Sequence, residues 1–289
     1  MFAALLKTMR PRQWTKNVAV FAALVFDEKL FTGSSLIGTL LGFGLLCLVS
    51  GTVYIINDVA DIEKDKAHPT KKNRPLAAGV IGRRTALSAA GVILLVALPL
   101  SFWLDSGFGL LMVVYLLVQV AYSFALKNMV IIDVMTIAAG FVLRVGAGVS
   151  LVEVARFSPW LYVCTTLLSL FMGFGKRRQE LILTLNGVKN TRATLSDYSI
   201  NLLDDMIMIV AASTVMAYSL YTFSAPNLPD NHAMMLTIPF VIYGIFRYLY
   251  ILHISKGNGD PSEVLLQDRP VQVTVMLWGL SAVAILYLS

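Results

Sequence analysis

The feature that most constrains this chain is a succession of long apolar runs separated by short polar breaks. They fall at about 17–31, 35–56, 84–104, 108–126, 130–151, 158–175, 201–223, 234–254 and 271–288. Most approach the roughly 20 apolar residues that a helix needs to cross a bilayer. None alternates with period two, so they read as helices and not as barrel strands. The expectation is an all-α polytopic membrane protein, a bundle of nine transmembrane helices forming one integral-membrane domain over residues 1–289. Composition agrees. Of the 289 residues 57% are apolar and 14% charged, against about 25% charged in soluble domains. A soluble enzyme, a disordered regulator and a disulfide-stapled module are excluded. Cys47 and Cys164 lie inside apolar runs and read as small buried hydrophobes. The opening MFAALLKTMRPRQWTKN has no small-residue cleavage site, so the first run reads as a retained helix.

The basic residues segregate. With nine spans, one side holds Lys7, Arg10, Arg12 and Lys16, then Lys64, Lys66, Lys71, Lys72, Arg74, Arg83 and Arg84. The same side holds Lys127, then Lys176, Arg177, Arg178, Lys189 and Arg192, and finally Lys256 and Arg269. The other side has Lys29 and Arg156, while Arg144 and Arg247 sit within spans. The positive-inside rule then predicts a cytoplasmic N-terminus and an outer C-terminus in a cell membrane. Acidic residues crowd the same face, among them Asp58, Asp61, Glu63, Asp65, Glu180, Asp197, Asp204, Asp205, Asp260, Glu263 and Asp268. That rule does not govern carboxylates, so their concentration points to a polar site on the cytoplasmic face. The basic loops are too short and too tied to the spans for a nucleic-acid surface.

The sharpest motif is Asn57-Asp58-Val59-Ala60-Asp61-Ile62-Glu63-Lys64-Asp65 at the end of the second run. On a continuing helix Asp58, Asp61 and Asp65 share one face, with Asn57 close by. Stacked like charges need a neutralising cation. Hard oxygen ligands that only partly cage an ion suit Mg²⁺ held jointly with a substrate phosphate. The next segment, His68-Pro69-Thr70-Lys71-Lys72-Asn73-Arg74-Pro75, brings basic side chains within one loop of those carboxylates. A metal on carboxylates beside Lys and Arg makes a diphosphate clamp.

A second polar cluster, Gly175-Lys176-Arg177-Arg178-Gln179-Glu180, follows the sixth run; it lacks the Ser or Thr of a P-loop. Asp197-Tyr198-Ser199 then opens the seventh run, with Asp197 a candidate N-cap. Asp204 and Asp205 lie one to two turns into that run, where charge is expensive. Asp133, Arg144 and Arg247 are also placed within spans, and buried charges in a bundle pair or line a wet cavity.

These motifs resemble those of the UbiA superfamily of intramembrane prenyltransferases: nine helices, NDxxDxxxD after the second, and an acidic patch after the sixth. The narrower likeness is to its decaprenyl-phosphate phosphoribosyltransferase branch. It rests on Arg10-Pro-Arg-Gln-Trp-Thr-Lys-Asn17, Asn57–Asp65, His68–Pro75, Tyr122-Ser123 with Lys127, Gly140–Gly148 and Gly175–Glu180. The second patch departs from the aromatic prenyltransferases: it reads DYSxxxxLDD in place of DxxxD. Whether it binds metal stays open.

The resemblance implies a reaction. A membrane polyprenyl phosphate attacks C1 of 5-phosphoribosyl 1-diphosphate (PRPP), diphosphate leaves, and the lipid product feeds cell-wall arabinan synthesis. With it come roles for residues. Asn57, Asp58 and Asp61 would hold Mg²⁺, with Asp65 in support. Lys16, Tyr54, Lys71, Lys72 and Arg74 would meet the PRPP phosphates or ribose. Tyr122, Lys127, Lys176 and Arg177 would bind phosphate from the opposite wall, with Arg144, Asp197 and Tyr198 as further substrate-binding candidates. Two rivals stand beside this reading. One is an aromatic prenyltransferase of the same fold using a polyprenyl diphosphate donor. The other is a transporter with an edge cation site, although transporters place such sites near the bilayer midplane. The sequence leaves oligomeric state open, a homo-oligomer included.

Overall fold

A computed structural model describes residues 1–67, 71–152, 158–187, 193–225, 228–254, 264 and 267–288. His68, Pro69 and Thr70, and the charged Arg156, Lys189, Arg192, Lys256, Asp260 and Glu263, lie outside the described residues.

Among the described residues every regular element is helical. After α1 (Phe2–Thr8) the chain runs in 3-10 geometry over Pro11–Phe21 and continues as α2 (Ala22–Phe26). Then come α3 (Gly33–Ala60), α4 (Ile62–Lys66), α5 (Arg83–Leu104), α6 (Ser106–Phe124) and α7 (Ile132–Ser150). The rest is α8 (Pro159–Leu185), α9 (Ile200–Ser224), α10 (Ile238–His253) and α11 (Arg269–Leu288). Seven of these helices are long and apolar enough to cross a membrane: α3, α5, α6, α7, α9, the Ala233–His253 helix and α11.

The two other expected spans differ from simple apolar helices. The first run is divided between the 3-10 segment and α2. The sixth run does not stop near residue 175: α8 continues through Lys176, Arg177, Arg178 and Glu180 to Leu185. The GKRRQE motif is therefore part of the sixth helix and does not follow it. Two basic residues face inward, because Arg177 and Arg178 are both buried.

The chain forms two compact units, α1 through α7 and α8 through α11, the second together with Phe26–Glu28. In the first unit α3 packs against α5, α6 and the 3-10 segment. Its core gathers Val20, Leu46, Val49, Phe108, Met112 and Ala147. Between helices in a bilayer such packing rests on close van der Waals contact, because lipid tails are as apolar as these side chains. A second apolar cluster holds Met9, Ile55, Leu76 and Ile81, with Trp14 and Val59 against it, and seats the end of α1 beside the last turns of α3. The small-residue patch of α7 has a specific use. A Cβ on Gly148 would collide with the Val20 carbonyl oxygen, so only glycine lets α7 run directly against the 3-10 segment.

A buried polar network ties the same elements. Asn17, fully buried, donates from Nδ2 to Ser50 Oγ at 3.0 Å and to Cys47 Sγ at 3.3 Å. Its Oδ1 accepts from Arg144 Nε at 2.9 Å. Arg144 also donates from Nη1 to the Gly140 carbonyl at 2.8 Å and from Nη2 to the Tyr115 hydroxyl at 2.7 Å. Its guanidinium lies 4.8 Å from the centroid of the Tyr115 ring. Among the described residues no carboxylate forms an ion pair with Arg144, so its burial is compensated by neutral acceptors and rings.

The second unit packs α8 on α9 and α10 on α11. Its core includes Tyr218, Tyr221 and Met234, with Phe26, Trp160 and Trp278 against them. Trp278 Nε1 donates to the Tyr218 hydroxyl at 2.7 Å, and that hydroxyl lies 2.6 Å from Thr237 Oγ1. Arg247 on α10 meets Asp268 Oδ2 at 2.9 Å. Asp268 Oδ1 also accepts from the Val271 amide at 2.9 Å and so caps α11.

Candidate active site

The acidic motif sits where α3 ends. Asp58 lies in the last turn of α3 and is 2% exposed. The helix breaks at Asp61 (φ −103°, ψ 11°) and restarts as α4. Helical hydrogen bonding carries across the break: the Asp61 amide donates to the Asn57 carbonyl at 3.0 Å and the Asp65 amide to the Asp61 carbonyl at 2.8 Å. The stripe keeps its spacing, but its side chains separate into two groups.

The first group is Asp58 and Asp65. Arg74 Nη1 stands between them, 3.2 Å from Asp58 Oδ1 and 2.6 Å from Asp65 Oδ2. Arg10 Nη2 pairs with the same Asp58 oxygen, and its guanidinium stacks 4.8 Å from the centroid of Tyr54, one turn below. Arg10 adopts a left-handed backbone (φ 53°, ψ 66°), a conformation that costs a non-glycine residue about 1 kcal/mol. The second group is Asp61 with Lys127, whose Nζ is 2.9 Å from both carboxylate oxygens. Lys127 comes from the short 3-10 turn between α6 and α7. It therefore joins the carboxylate wall itself and does not stand opposite it. Lys71 is half-buried and Lys72 exposed, both on the 3-10 turn Lys71–Asn73. Tyr122 is half-buried in the last turn of α6, and Lys16 is half-buried in the amino-terminal segment.

The expected neutraliser of the stripe was an ion; three protein cations perform that task here. Among the described residues no three His, Cys, Asp or Glu side chains gather closely enough to form a metal cage. The donor set nevertheless fits Mg²⁺ that is shared with phosphate. Such an ion takes one or two carboxylates and completes its shell with substrate oxygens and water. Asp58 and Asp65 lie close enough together to share one cationic partner, Arg74 Nη1. Asp61, paired with Lys127, has a different partner from the Asp58 and Asp65 pair.

The second unit has an ion-pair cluster of its own. Arg178 Nε meets Asp204 Oδ1 at 2.5 Å, and its Nη1 donates to the Leu252 carbonyl at 2.9 Å. His253 Nε2 is 3.3 Å from the same Asp204 oxygen. The in-span charge of Asp204 is thus matched by a tie among α8, α9 and α10, while Asp205 is exposed. Arg177 is buried and pairs with Glu180 one turn on. Lys176 is half-buried, Asp197 exposed and Tyr198 buried. Asp197 does not cap α9; Ser199 does, its Oγ accepting from the Leu202 amide at 3.1 Å. A Cβ on Gly175 would press on the Tyr248 hydroxyl, which fixes how closely α8 meets α10.

The residue that the sequence reading passed over is Arg10. Its position before the first run explained it as ordinary positive-inside charge. The signal lay in the Arg10–Asn17 motif that carries the family likeness, to which no site role was attached for Arg10.

The profile of the UbiA prenyltransferase family matches residues 18–265 of this chain. The chain belongs to the UbiA prenyltransferase family. Its relatives in that family include decaprenyl-phosphate phosphoribosyltransferases. The protein of that name from Mycolicibacterium smegmatis is 32% identical, over 100% of this chain and 94% of its own length. The one from Corynebacterium glutamicum is 32% identical over 98% of this chain and 87% of its own. Among solved structures, a UbiA homologue from Archaeoglobus fulgidus bound to GPP and Mg²⁺ superposes with a TM-score of 0.73 at 20% identity, covering 98% of this chain and 99% of that one. That likeness fixes the UbiA fold: an all-helical, multi-pass membrane protein.

Proposed function

We propose that this UbiA-family protein transfers 5-phosphoribose from PRPP to a membrane polyprenyl phosphate of decaprenyl type, releases diphosphate, and so supplies a precursor of cell-wall arabinan. The observation that carries this reading is the concentration of guanidinium and ammonium groups on the carboxylates at the end of α3: Arg10, Arg74 and Lys127 on Asp58, Asp65 and Asp61. Two anionic substrates need many fixed cations; an aromatic acceptor needs few charges and help with ring deprotonation. Full-length likeness to phosphoribosyltransferases supports the same choice.

The attacking group is a phosphate monoester, whose second pKa is about 6. It is already ionised near neutral pH, so no general base is needed. Asp58 and Asp65, with Asn57 beside them, are the residues that would hold Mg²⁺. When bound, the ion stabilises the negative charge gathering on the departing diphosphate. Arg10, Arg74, Lys71 and Lys72 bind and orient the donor's phosphates. Lys127 sets the orientation of Asp61. Lys16, Tyr54 and Tyr122 also contact substrate, and Lys176, Arg177, Asp197 and Tyr198 of the second unit are assigned as substrate-binding residues. Arg144 acts by holding Asn17 in place. Catalysis then rests on positioning and fixed charge, at a ribose carbon with oxocarbenium character.

The whole chain serves as a single transferase domain with nine crossings, the seven apolar helices plus α8 and the amino-terminal segment. Its N-terminus and active site face the cytoplasm and its C-terminus the outside. The alternative, an aromatic prenyltransferase, shares the fold and the first acidic motif. The deciding experiment supplies purified protein with labelled PRPP and polyprenyl phosphate, and in parallel with a prenyl diphosphate and 4-hydroxybenzoate. Mass spectrometry then identifies the lipid product. Lipid-linked phosphoribose supports the proposal; prenylated benzoate overturns it.

A further inference from the structure

We propose that Arg10 is an exchangeable counter-ion of the site: it holds Asp58 while no divalent ion is bound, and it passes to the donor's diphosphate when an ion takes its place. This rests on the phosphoribosyl-transfer reading for the identity of the diphosphate, though not for the ion exchange itself.

Four observations carry it. First, Asp58 Oδ1 is claimed by two guanidinium groups, from Arg10 and Arg74. Second, charge is already balanced, Asp58 and Asp65 against Arg10 and Arg74. A divalent ion added without rearrangement leaves two uncompensated positive charges beside an acid that is 2% exposed, where the Coulomb cost is several times that in water. Diphosphate added alone finds its arginines engaged. Ion and diphosphate together bring the site to within about one charge of balance, with the carboxylates on the ion and the guanidinium groups on the phosphate oxygens. Third, Arg10 is the partner able to leave: the two arginines are equally exposed (27% and 26%), but Arg74 is also held by Asp65 at 2.6 Å while Arg10 pairs with Asp58. It lies over the Tyr54 ring, which keeps a cation–π contact while the head group turns. Fourth, the backbone at Arg10 is left-handed (φ 53°), while the chain on both sides is fixed by buried Met9 and buried Asn17. The pairing is set by a braced segment and not by a floppy terminus.

The consequence is positive coupling between ion and diphosphate. Coupling of this kind is reciprocal by thermodynamic necessity.

The test uses the full chain in detergent with Mn²⁺ as probe and no phosphate compound present. Bound ion is followed by the loss of the free-Mn²⁺ paramagnetic resonance signal. Arg10→Ala is expected to raise Mn²⁺ affinity at least tenfold over the unsubstituted protein. Arg12→Ala, an exposed cation two residues away, is expected to change it less than twofold. In turnover, Arg10→Ala raises the KM for PRPP at least tenfold. Should Arg10→Ala fail to fold, Arg10→Gln, which keeps the shape and drops the charge, is held to the same criterion. Mn²⁺ affinity in the Arg10 variant no higher than in Arg12→Ala overturns the exchange, whether or not PRPP is turned over. Failure of phosphoribosyl transfer with the Mn²⁺ difference intact overturns the catalytic reading and leaves the exchange standing.

Discussion

Lys127 Nζ lies 2.9 Å from both carboxylate oxygens of Asp61, a residue 66 positions earlier in the chain. The pair joins the turn between α6 and α7 to the break between α3 and α4. It holds one carboxylate of the acidic motif away from the other two. Removing Lys127 frees Asp61 to rotate and leaves a half-buried acid without its ammonium.

We therefore expect Lys127→Met to lower kcat/KM for PRPP by roughly 10–100-fold. In a double-mutant cycle with Asp61→Asn, the two losses should fall short of additive by about 0.5–3 kcal/mol, as for residues in direct contact. Additive losses would mean that the two side chains act independently.

The network around Arg144 makes a prediction about stability. Asn17→Ala removes the acceptor for Arg144 Nε and the donor to Ser50. Leaving such buried groups unsatisfied costs about 1–3 kcal/mol. The detergent-solubilised variant should melt several degrees below the parent protein. Arg144→Lys should not restore Tm, because one ammonium cannot reproduce the fork that reaches Asn17, Gly140 and Tyr115.

Gly148→Ala tests the close approach of α7 to the amino-terminal segment. The added methyl meets the Val20 carbonyl, and overpacking of this kind costs about 1–3 kcal/mol. The shifted segment also carries Arg10 and Lys16. We expect the KM for PRPP to rise along with the fall in Tm. A lower Tm with an unchanged KM would separate the segment from substrate binding.

Asp268 gives a pH dependence. The hydrogen bond from Arg247 holds its carboxyl below the ordinary carboxylate range. A lowered folded-state value means that its contribution is fully present above the unfolded Asp pKa of about 3.9. That contribution is lost as pH falls through the lower folded value. Asp268→Asn should therefore melt below the parent protein at pH 7, with the gap closing as the sample is acidified beneath the ordinary carboxylate range. A constant gap across that range would remove the ionic tie as its cause.

Much of this architecture is legible in the chain because bilayer crossing imposes length and polarity together. Seven of the nine apolar runs form helices that meet both criteria. The acidic motif was equally legible, since Asp58, Asp61 and Asp65 keep helical spacing across the break. What the sequence could not convey are the pairings over long separations. Arg10 and Asp58 are 48 residues apart, and Asn17 and Arg144 are 127. A basic residue at a membrane edge is already explained by topology, which hides one recruited to a site. The extension of α8 was missed for a related reason. Lys176 to Glu180 read as following the sixth run because they are polar, yet Arg177 and Arg178 pair with Glu180 and Asp204 within a continuing helix.

In the proposed reaction the carboxylates ending α3 serve metal-assisted departure of diphosphate from a ribose. The most direct measurement is mass-spectrometric yield of lipid-linked phosphoribose from PRPP and polyprenyl phosphate. It compares the unsubstituted protein, the same protein in excess EDTA, and Asp58→Asn shown to be folded by its melting curve. Product is expected in the first sample only, with yield returning when Mg²⁺ is restored to the second. Undiminished product in EDTA, or from folded Asp58→Asn, would contradict the proposed reaction.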